Sequence, residues 1–296
     1  MSEANGQNDE LWRFRRAKPL PRECKTLIMG IVNLTPDSFS GGGAPIPTPT
    51  EAVDRAMELL AAGADIIDFG AESSRPGAEP VDARREIERL GDAVALLRSR
   101  TDAPISVDTY HVETAGHVLE QGADIINDIT ALRGGWDEAA SVRTDMARLA
   151  ARERAHVILM HMPENPATMQ ASPEYIDVVE EVKEFLIERA RFAEGEGVAR
   201  DAIWLDPGFG FGKSFHHNRE LLLQLGEFAD LGYPVAVGLS RKRMIQDALD
   251  LPPGERLEAS LALAVIASLT GADLVRVHDV RETARAVGMT DAVRCG

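Results

Sequence analysis

Short carboxylates, amides and cations recur at one kind of place in this sequence, just beyond a run of apolar, often β-branched residues. In chain order they are Asn33; Glu72, Ser74 and Arg75; Asp108; Asn127 with Asp128; His161; Asp206; Ser240, Arg241 and Lys242; and Arg276 with His278. One polar residue at the end of a strand is explained by turn or cap chemistry as readily as by function. A whole series of such ends gathered at one mouth makes a site. Asp108, Asn127 and Asp206 combine short acceptors with an amide, which suits the donor and acceptor edge of a flat heterocycle. Arg75, Lys242, Arg276 and His278 suit a phosphate or a carboxylate, arginine through a two-pronged hydrogen bond and lysine as a point charge. The joint reading is a heterocycle that carries a phosphate group. Paired carboxylates also fit a glycosidase, but that chemistry has no evident use for the neighbouring cations.

The elements that must position these residues are legible in the apolar runs. They are LIMGIVN (27–33), DIIDFG (65–70), PISVDT (104–109), DIINDI (124–129), HVILMH (156–161), IWLDPG (203–208), PVAVGLS (234–240) and DLVRVHD (273–279). Near-continuous apolar runs read as parallel strands buried on both faces. Between them lie amphipathic segments such as EAVDRAMELLAA, ARREIERLGDAVALLRS, YIDVVEEVKEFLIERARFAEGEG and RLEASLALAVIASLT, which read as crossover helices. Three junctions share Gly-Ala-Asp, at 63–65, 122–124 and 271–273, each followed at once by a strand. Glycine there can take the left-handed conformation that ends a helix. Eight βα units favour a single α/β domain, a closed (β/α)8 TIM barrel, whose chemistry belongs at the C-terminal ends of its strands. The barrel is expected over residues 26–296, with 1–25 a frayed or loosely docked extension and GGGAPIPTPT (41–50) a mobile loop.

The formal charge of −16 argues against binding nucleic acid or anionic membrane, so an anionic substrate needs the local basic cluster named above. Cys24 and Cys295 are far apart in sequence, so no disulfide framework is expected. Together with a polar, acidic start and no apolar stretch long enough to span a bilayer, this points to the cytoplasm. GFGFGKS (208–214) lacks the spacing of a phosphate-binding loop. The histidines lack metal spacing, and His216-His217 reads as a solvated loop. His161 reads as either a packing residue or support for a neighbour, and Met160, Met162 and Met169 read as gap-fillers.

Several blocks resemble the dihydropteroate synthases: MGIVNLTPDSFSGGG (29–43), DFGAESSRPGA (68–78), SVDT (106–109), INDI (126–129), LMHMPENPATMQ (159–170), LDPGFGFGK (205–213), GLSRK (238–242) and VRVHDV (275–280). The resemblance implies a transferase of folate biosynthesis. It would join 6-hydroxymethyl-7,8-dihydropterin diphosphate to 4-aminobenzoate with Mg2+ assisting, in a family that sulfonamides target. It also implies a homodimer. On this resemblance Asp108, Asn127, Asp206 and Lys242 form the pterin pocket and Asn33 holds the magnesium. Ser74, Arg276 and His278 contact the diphosphate. Asp37 and Phe39 sit on one closing loop and Ser74-Arg75-Pro76 on another, while Phe211 and Ser240-Arg241-Lys242 border the aminobenzoate. Asp108, Asp206, Lys242 and Asp37 are then the groups nearest the reacting centre. The chain departs from the family pattern at Gly41, where Asp is usual, and at Ala71 and Ser74, where Gly and Thr are common. Arg243 stands where Ser is frequent, beside the aminobenzoate carboxylate. Rival readings are a pterin-binding barrel that passes a methyl group from methyltetrahydrofolate to a corrinoid, and a catalytically silent barrel. The SSRPGA, TPDSF and VRVHD segments favour the synthase.

Overall fold

The computed structural model describes residues 11–18, 20–21, 24–35, 47–73, 80–135, 145–163 and 174–295. A small hairpin of β1 (Leu11–Trp12) and β2 (Leu20–Pro21) precedes the eight apolar runs. Each run forms a strand: β3 (Leu27–Asn33), β4 (Ile66–Gly70), β5 (Ile105–Asp108), β6 (Ile125–Asp128), β7 (His156–Met160), β8 (Ile203–Asp206), β9 (Ala236–Val237) and β10 (Leu274–Val277). The strands pair in parallel in chain order from β3 to β8, β10 returns to β3, and β9 joins β10. A parallel bridge between Leu205 and Val235 closes the ring, so the expected (β/α)8 barrel forms.

The crossovers are α1 (Pro49–Ala62), α2 (Ala83–Leu90), α3 (Ala93–Arg98), α4 (Val112–Gln121), α5 (Asp145–Glu153), α6 (Val178–Gly195), α7 (Phe215–Leu223), α8 (Gly226–Ala229), α9 (Arg243–Leu249), α10 (Leu257–Thr270) and α11 (Val280–Cys295). The segment read as one helix over 83–99 breaks at Gly91, whose φ is 53°. Pro49 and Thr50 belong to α1, behind a capping box of Thr48 and Glu51; residues 41–46 of the expected loop lie outside the described residues. His216 and His217, expected on a solvated loop, occupy the first turn of α7. There His217 completes a capping box with Ser214, which is why the loop reading fails.

The Gly-Ala-Asp junctions end their helices as expected, with φ of 110° at Gly63, 116° at Gly122 and 124° at Gly271. Their aspartates do a second job that spacing did not reveal. Asp65 Oδ2 accepts from Ile28 N at 3.0 Å, Asp124 Oδ2 from Ile105 N at 3.0 Å and Asp273 Oδ2 from Val235 N at 2.8 Å. Each carboxylate therefore satisfies a backbone N–H at or beside the start of a neighbouring strand, which would otherwise be buried unpaired.

Strand periodicity then sorts the side chains. Ile28, Ile67, Phe69, Val107, Ile126, Leu159 and Leu205 point outward into the large core beneath the helices. Leu27, Met29, Ile66, Ile125, Ile158, Trp204 and Leu274 point inward and fill the N-terminal half of the barrel. The next inward positions on the same strands hold Asp68, Asn127, Met160, Asp206 and Arg276. The polar floor of the site is thus set one pleat above an apolar plug.

Where it is described, the N-terminal extension is docked rather than loose. Trp12, Phe14 and Leu20 join the inner apolar cluster from below, and Trp12 lies 4.5 Å from Trp204 between ring centres. Trp204 Nε1 donates to His156 Nδ1 at 3.0 Å, and His156 Nε2 lies 2.8 Å from Arg13 O. This fixes a neutral His156 with its proton on Nε2, in keeping with burial, which lowers its pKa. Arg15 caps α4 through Leu119 O at 2.9 Å and pairs with Glu153 at 2.8 Å.

The expectation about cysteines is also corrected, because Cys24 is disulfide-bonded. Barrel closure supplies the reason. The residues before β3 lie against the last helix, where Thr26 N donates to Asp291 Oδ2 at 2.8 Å, so a long sequence separation becomes a short spatial one. Among the described residues no helix is long and apolar enough to cross a membrane.

Candidate active site

The C-terminal mouth of the barrel opens on a cavity lined on its polar side by Asp108, Asn127, Asp206, Ser240, Lys242, Arg276 and His278. Its apolar lining is Ile31, Ile129, Met160, Phe211 and the Cα of Gly238. Four strands, β5, β6, β8 and β10, and the segments that follow β8, β9 and β10 therefore bring together eight of the site residues singled out in the sequence. Met160, read as a gap-filler, lines this cavity; Met162 is buried beside it and Met169 lies outside the described residues.

Arg276 organises one side. Its Nε donates to Asp68 Oδ2 at 2.6 Å and a terminal nitrogen to Asp108 Oδ2 at 3.0 Å. Burial opposes its charge, but Asp68 and Asp108 more than offset this and hold the guanidinium protonated. Burial in turn pushes Asp108 up to about 7, helped by the carboxylates of Asp68, Glu86 and Glu72 and opposed by Arg276.

The other side is a lysine and a carboxylate. Burial lowers Lys242 to about 8, with Asp206 pulling the other way, and Lys242 Nζ lies 3.9 Å from the centre of the Phe211 ring. Burial raises Asp206, although Gly208 N donates to its Oδ1 at 2.7 Å and Lys242 stands near. Three carboxylates, Asp68, Asp108 and Asp206, thus lie among the basic groups Arg276, Lys242 and the buried Lys213, which burial lowers to about 7 against the pull of Asp206. A neutral ring with donors and acceptors on its edge can enter such a balanced set without stranding a charge.

At the rim, Ser240 Oγ accepts from His278 N at 3.3 Å and lies 3.1 Å from His278 Nδ1. Ser240 thus holds both the backbone and the ring of His278. Burial, with Arg241 and Arg276 nearby, lowers His278 to about 3, so it is a neutral donor and not a cation.

The structure separates other members of the predicted ring. Glu72 turns aside to accept from Tyr110 Oη at 3.2 Å and Val81 N at 3.3 Å. Asp128 accepts from Thr130 N at 2.7 Å and Leu132 N at 3.0 Å, a turn function. Arg241 bonds Asp279 at 3.0 Å, and Arg243 reaches Asp247 at 3.5 Å along α9. Asn33 ends β3 outside the cavity lining, and His161 lies behind it against Lys213. Asp37, Phe39, Gly41, Ser74, Arg75 and Pro76 fall outside the described residues.

Asp68 was missed, although a signal existed: it is an acid inside an apolar strand, two residues before Gly70 and hence on the same inward face. Gly208, Gly210 and Gly212 all have positive φ, and a Cβ at Gly208 would lie 2.0 Å from His161 O. The glycines serve chain geometry and close approach, not phosphate binding.

Known proteins resemble this chain along nearly its whole length. The pterin binding enzyme family matches residues 29–278. The dihydropteroate synthase of Escherichia coli (strain K12) is 44% identical over 265 residues, covering 90% of each chain. That of Synechocystis sp. is 42% identical over 270 residues, 91% of this chain and 90% of the other. Among solved structures, the Yersinia pestis dihydropteroate synthase with a sulfonamide drug complex superposes with a TM-score of 0.88 at 38% identity, covering 97% of this chain and 100% of that one. The Xanthomonas albilineans dihydropteroate synthase with 4-aminobenzoic acid gives 0.85 at 40% identity, with 97% and 99% covered. A barrel with a charge-balanced cavity at its C-terminal mouth, matched along nearly its whole length by these enzymes, belongs to the dihydropteroate synthase family of transferases.

Proposed function

We propose that the chain joins 6-hydroxymethyl-7,8-dihydropterin diphosphate to 4-aminobenzoate, giving 7,8-dihydropteroate and pyrophosphate. The observation that carries this reading is the convergence of Asp108, Asn127, Asp206 and Lys242 on one cavity with Arg276 along its wall. In the reaction the aminobenzoate nitrogen bonds the pterin methylene, the carbon–oxygen bond breaks, and the diphosphate leaves with the electron pair. The amine loses one proton.

Asp108, Asn127, Asp206 and Lys242 bind the pterin edge on this reading. Arg276 serves two ends, holding Asp108 in place and offering positive charge to the diphosphate, while His278 donates as a neutral ring. Carboxylates beside the ring stabilise positive charge that builds on the pterin as the bond lengthens. Phe211 and Lys242 border the aminobenzoate. Excluding water from the reacting centre prevents capture of the methylene as an alcohol.

The donor set suits Mg2+ bound chiefly through substrate. Asn33 supplies a hard oxygen, and its Oδ1 lies 3.2 Å from where a Cβ on Gly70 would be, so glycine at 70 keeps that oxygen clear. Magnesium keeps several waters and takes few protein oxygens when phosphates complete its shell. When bound, it would add positive charge at the leaving diphosphate.

A homodimer through α10 and α11 is part of the proposal. Ile266, Leu269, Met289 and Val293 are exposed along these two packed helices, an apolar face that a second copy would cover. So is a cytoplasmic location, with residues 26–296 as the catalytic barrel and 1–25 as its extension.

The test is direct. The folded protein, given pterin diphosphate, 4-aminobenzoate and Mg2+, should release pyrophosphate and form dihydropteroate in equal amounts; formation of neither defeats the proposal.

A further inference from the structure

The cavity accounts for Lys242 but not for the second lysine beside it. Lys213 is 4% exposed and does not line the cavity, yet its Nζ is among the most heavily bonded atoms of the region. It lies 2.9 Å from His161 Nδ1, 3.0 Å from Gly208 O and Phe211 O and 3.3 Å from His161 O, so its protons go to the three shorter contacts and the last is a close approach. These partners belong to the end of β7 and to two points of the 208–214 loop. That loop contains three glycines of positive φ and pairs with no strand, so its shape must come from side-chain tethers.

We infer that Lys213 is a positioning residue for both substrates, holding the 208–214 loop in the one shape that orients Asp206 on one side and Phe211 on the other. The inference rests on the synthase reading, which assigns these two walls to two substrates. On the first side, the peptide fixed by Lys213 through Gly208 O belongs to the same residue whose N–H donates to Asp206 Oδ1 at 2.7 Å. That bond sets the carboxylate plane and leaves Oδ2 for the ring that enters. On the second side, the bond to Phe211 O fixes the backbone from which the Phe211 ring reaches over Lys242 Nζ.

Two further tethers complete the clamp. Gly210 N donates to Asn218 Oδ1 at 2.7 Å, and Tyr175 Oη donates to Gly212 O at 3.1 Å. Lys213 is the central member because its one nitrogen joins Gly208 O and Phe211 O of the loop to His161 at the end of β7. Its bond to His161 also explains that histidine. Nδ1 accepts, so the ring is neutral with its proton on Nε2, and burial with Lys213 and Arg133 nearby holds its pKa well below the ordinary value. A shift of even 1 Å in groups that orient substrates lowers turnover by large factors, so the clamp acts on binding and rate without touching either ligand.

The experiment uses the full chain, and dihydropteroate formation by the wild type is established first; its failure would count against the synthase reading alone. Lys213→Met keeps length but removes every donor. We expect KM for 4-aminobenzoate to rise about tenfold and Kd for bare 6-hydroxymethylpterin to rise about fivefold, both larger than any fall in kcat. His161→Leu should move both constants the same way, and His161→Gln, which keeps an acceptor, should recover most of the loss. If Lys213→Met lowers only the urea midpoint while KM and Kd stay at wild-type values, the lysine is merely structural and the inference is overturned. Should that variant not fold, Tyr175→Phe decides: an increase of about threefold in KM for aminobenzoate supports the clamp, and an unchanged KM overturns it.

Discussion

Arg276 on β10 donates its Nε–H to Asp68 on β4 at 2.6 Å, below a cavity that Asp68 itself does not line. Asp68 is fully buried, and its guanidinium partner also serves Asp108 at 3.0 Å. Removing one partner of such a buried pair leaves the other charge uncompensated. Asp68→Asn should lower the free energy of unfolding by about 3 kcal/mol, read from urea denaturation. A change near zero would mean that Asp108 alone suffices to hold Arg276.

The same pair divides labour with Asp206. Asp206→Ala should abolish measurable binding of bare pterin by calorimetry. Arg276→Lys, which keeps the charge but loses the fork, should weaken the diphosphate ester by about tenfold while sparing the bare ring. Equal loss of both ligands in the Arg276 variant would contradict the assignment of that residue to the diphosphate.

Asp108 predicts a pH dependence. Burial, then Asp68, Glu86 and Glu72, raise its folded pKa to about 7, against a reference value of about 3.9 in an unfolded chain. The sign is that of a raised pKa: between these values the native state holds a proton that the unfolded state has lost. Its stabilising contribution is therefore complete below about pH 4 and disappears as pH rises through about 7. Activity runs the other way, because the ionised form is the one that accepts from the pterin. The rate constant kcat/KM should fall as pH drops through about 7. Replacing the buried Glu86 by Gln removes one carboxylate that raises Asp108, so the acid limb should move to lower pH. A limb that does not move would assign it to another group.

The hairpin below the barrel predicts stability without catalysis. Trp12 is buried against Trp204, at the opposite end of the strands from the cavity. Trp12→Ala should cost about 3 kcal/mol of unfolding free energy and leave both KM values unchanged where the variant is folded. Altered KM values in the folded variant would show that the plug reaches the site.

Assembly is tested at α10. Leu269 is 59% exposed on a helix whose buried face is small residues, Ala264, Ala267 and Ser268. Leu269→Glu should convert a sedimenting dimer to a monomer, and wild-type protein that sediments as a monomer would remove the proposed interface.

Sequence alone determined the strands, because a segment buried on both faces must be apolar throughout. LIMGIVN, HVILMH and DLVRVHD can hardly be anything else. It also pointed to Asp108, Asn127, Asp206 and Arg276 as inward, since a period of two fixes the face, but it did not separate them from Asn33, Asp128 and His161, which lie outside the cavity lining. Glycine at 63, 122 and 271 marked the helix ends through its backbone freedom alone. Tertiary structure decided what depends on distance across the ring. Asp68 meets Arg276 from 208 residues away, Lys213 reaches back to the end of β7, and Trp12 finds Trp204 only once the barrel has a floor to plug. Barrel closure likewise lays the approach to β3 against α11, the relationship that the wide spacing of Cys24 and Cys295 concealed. Local pattern governs which side chains turn inward, while their partners are chosen by closure of the sheet.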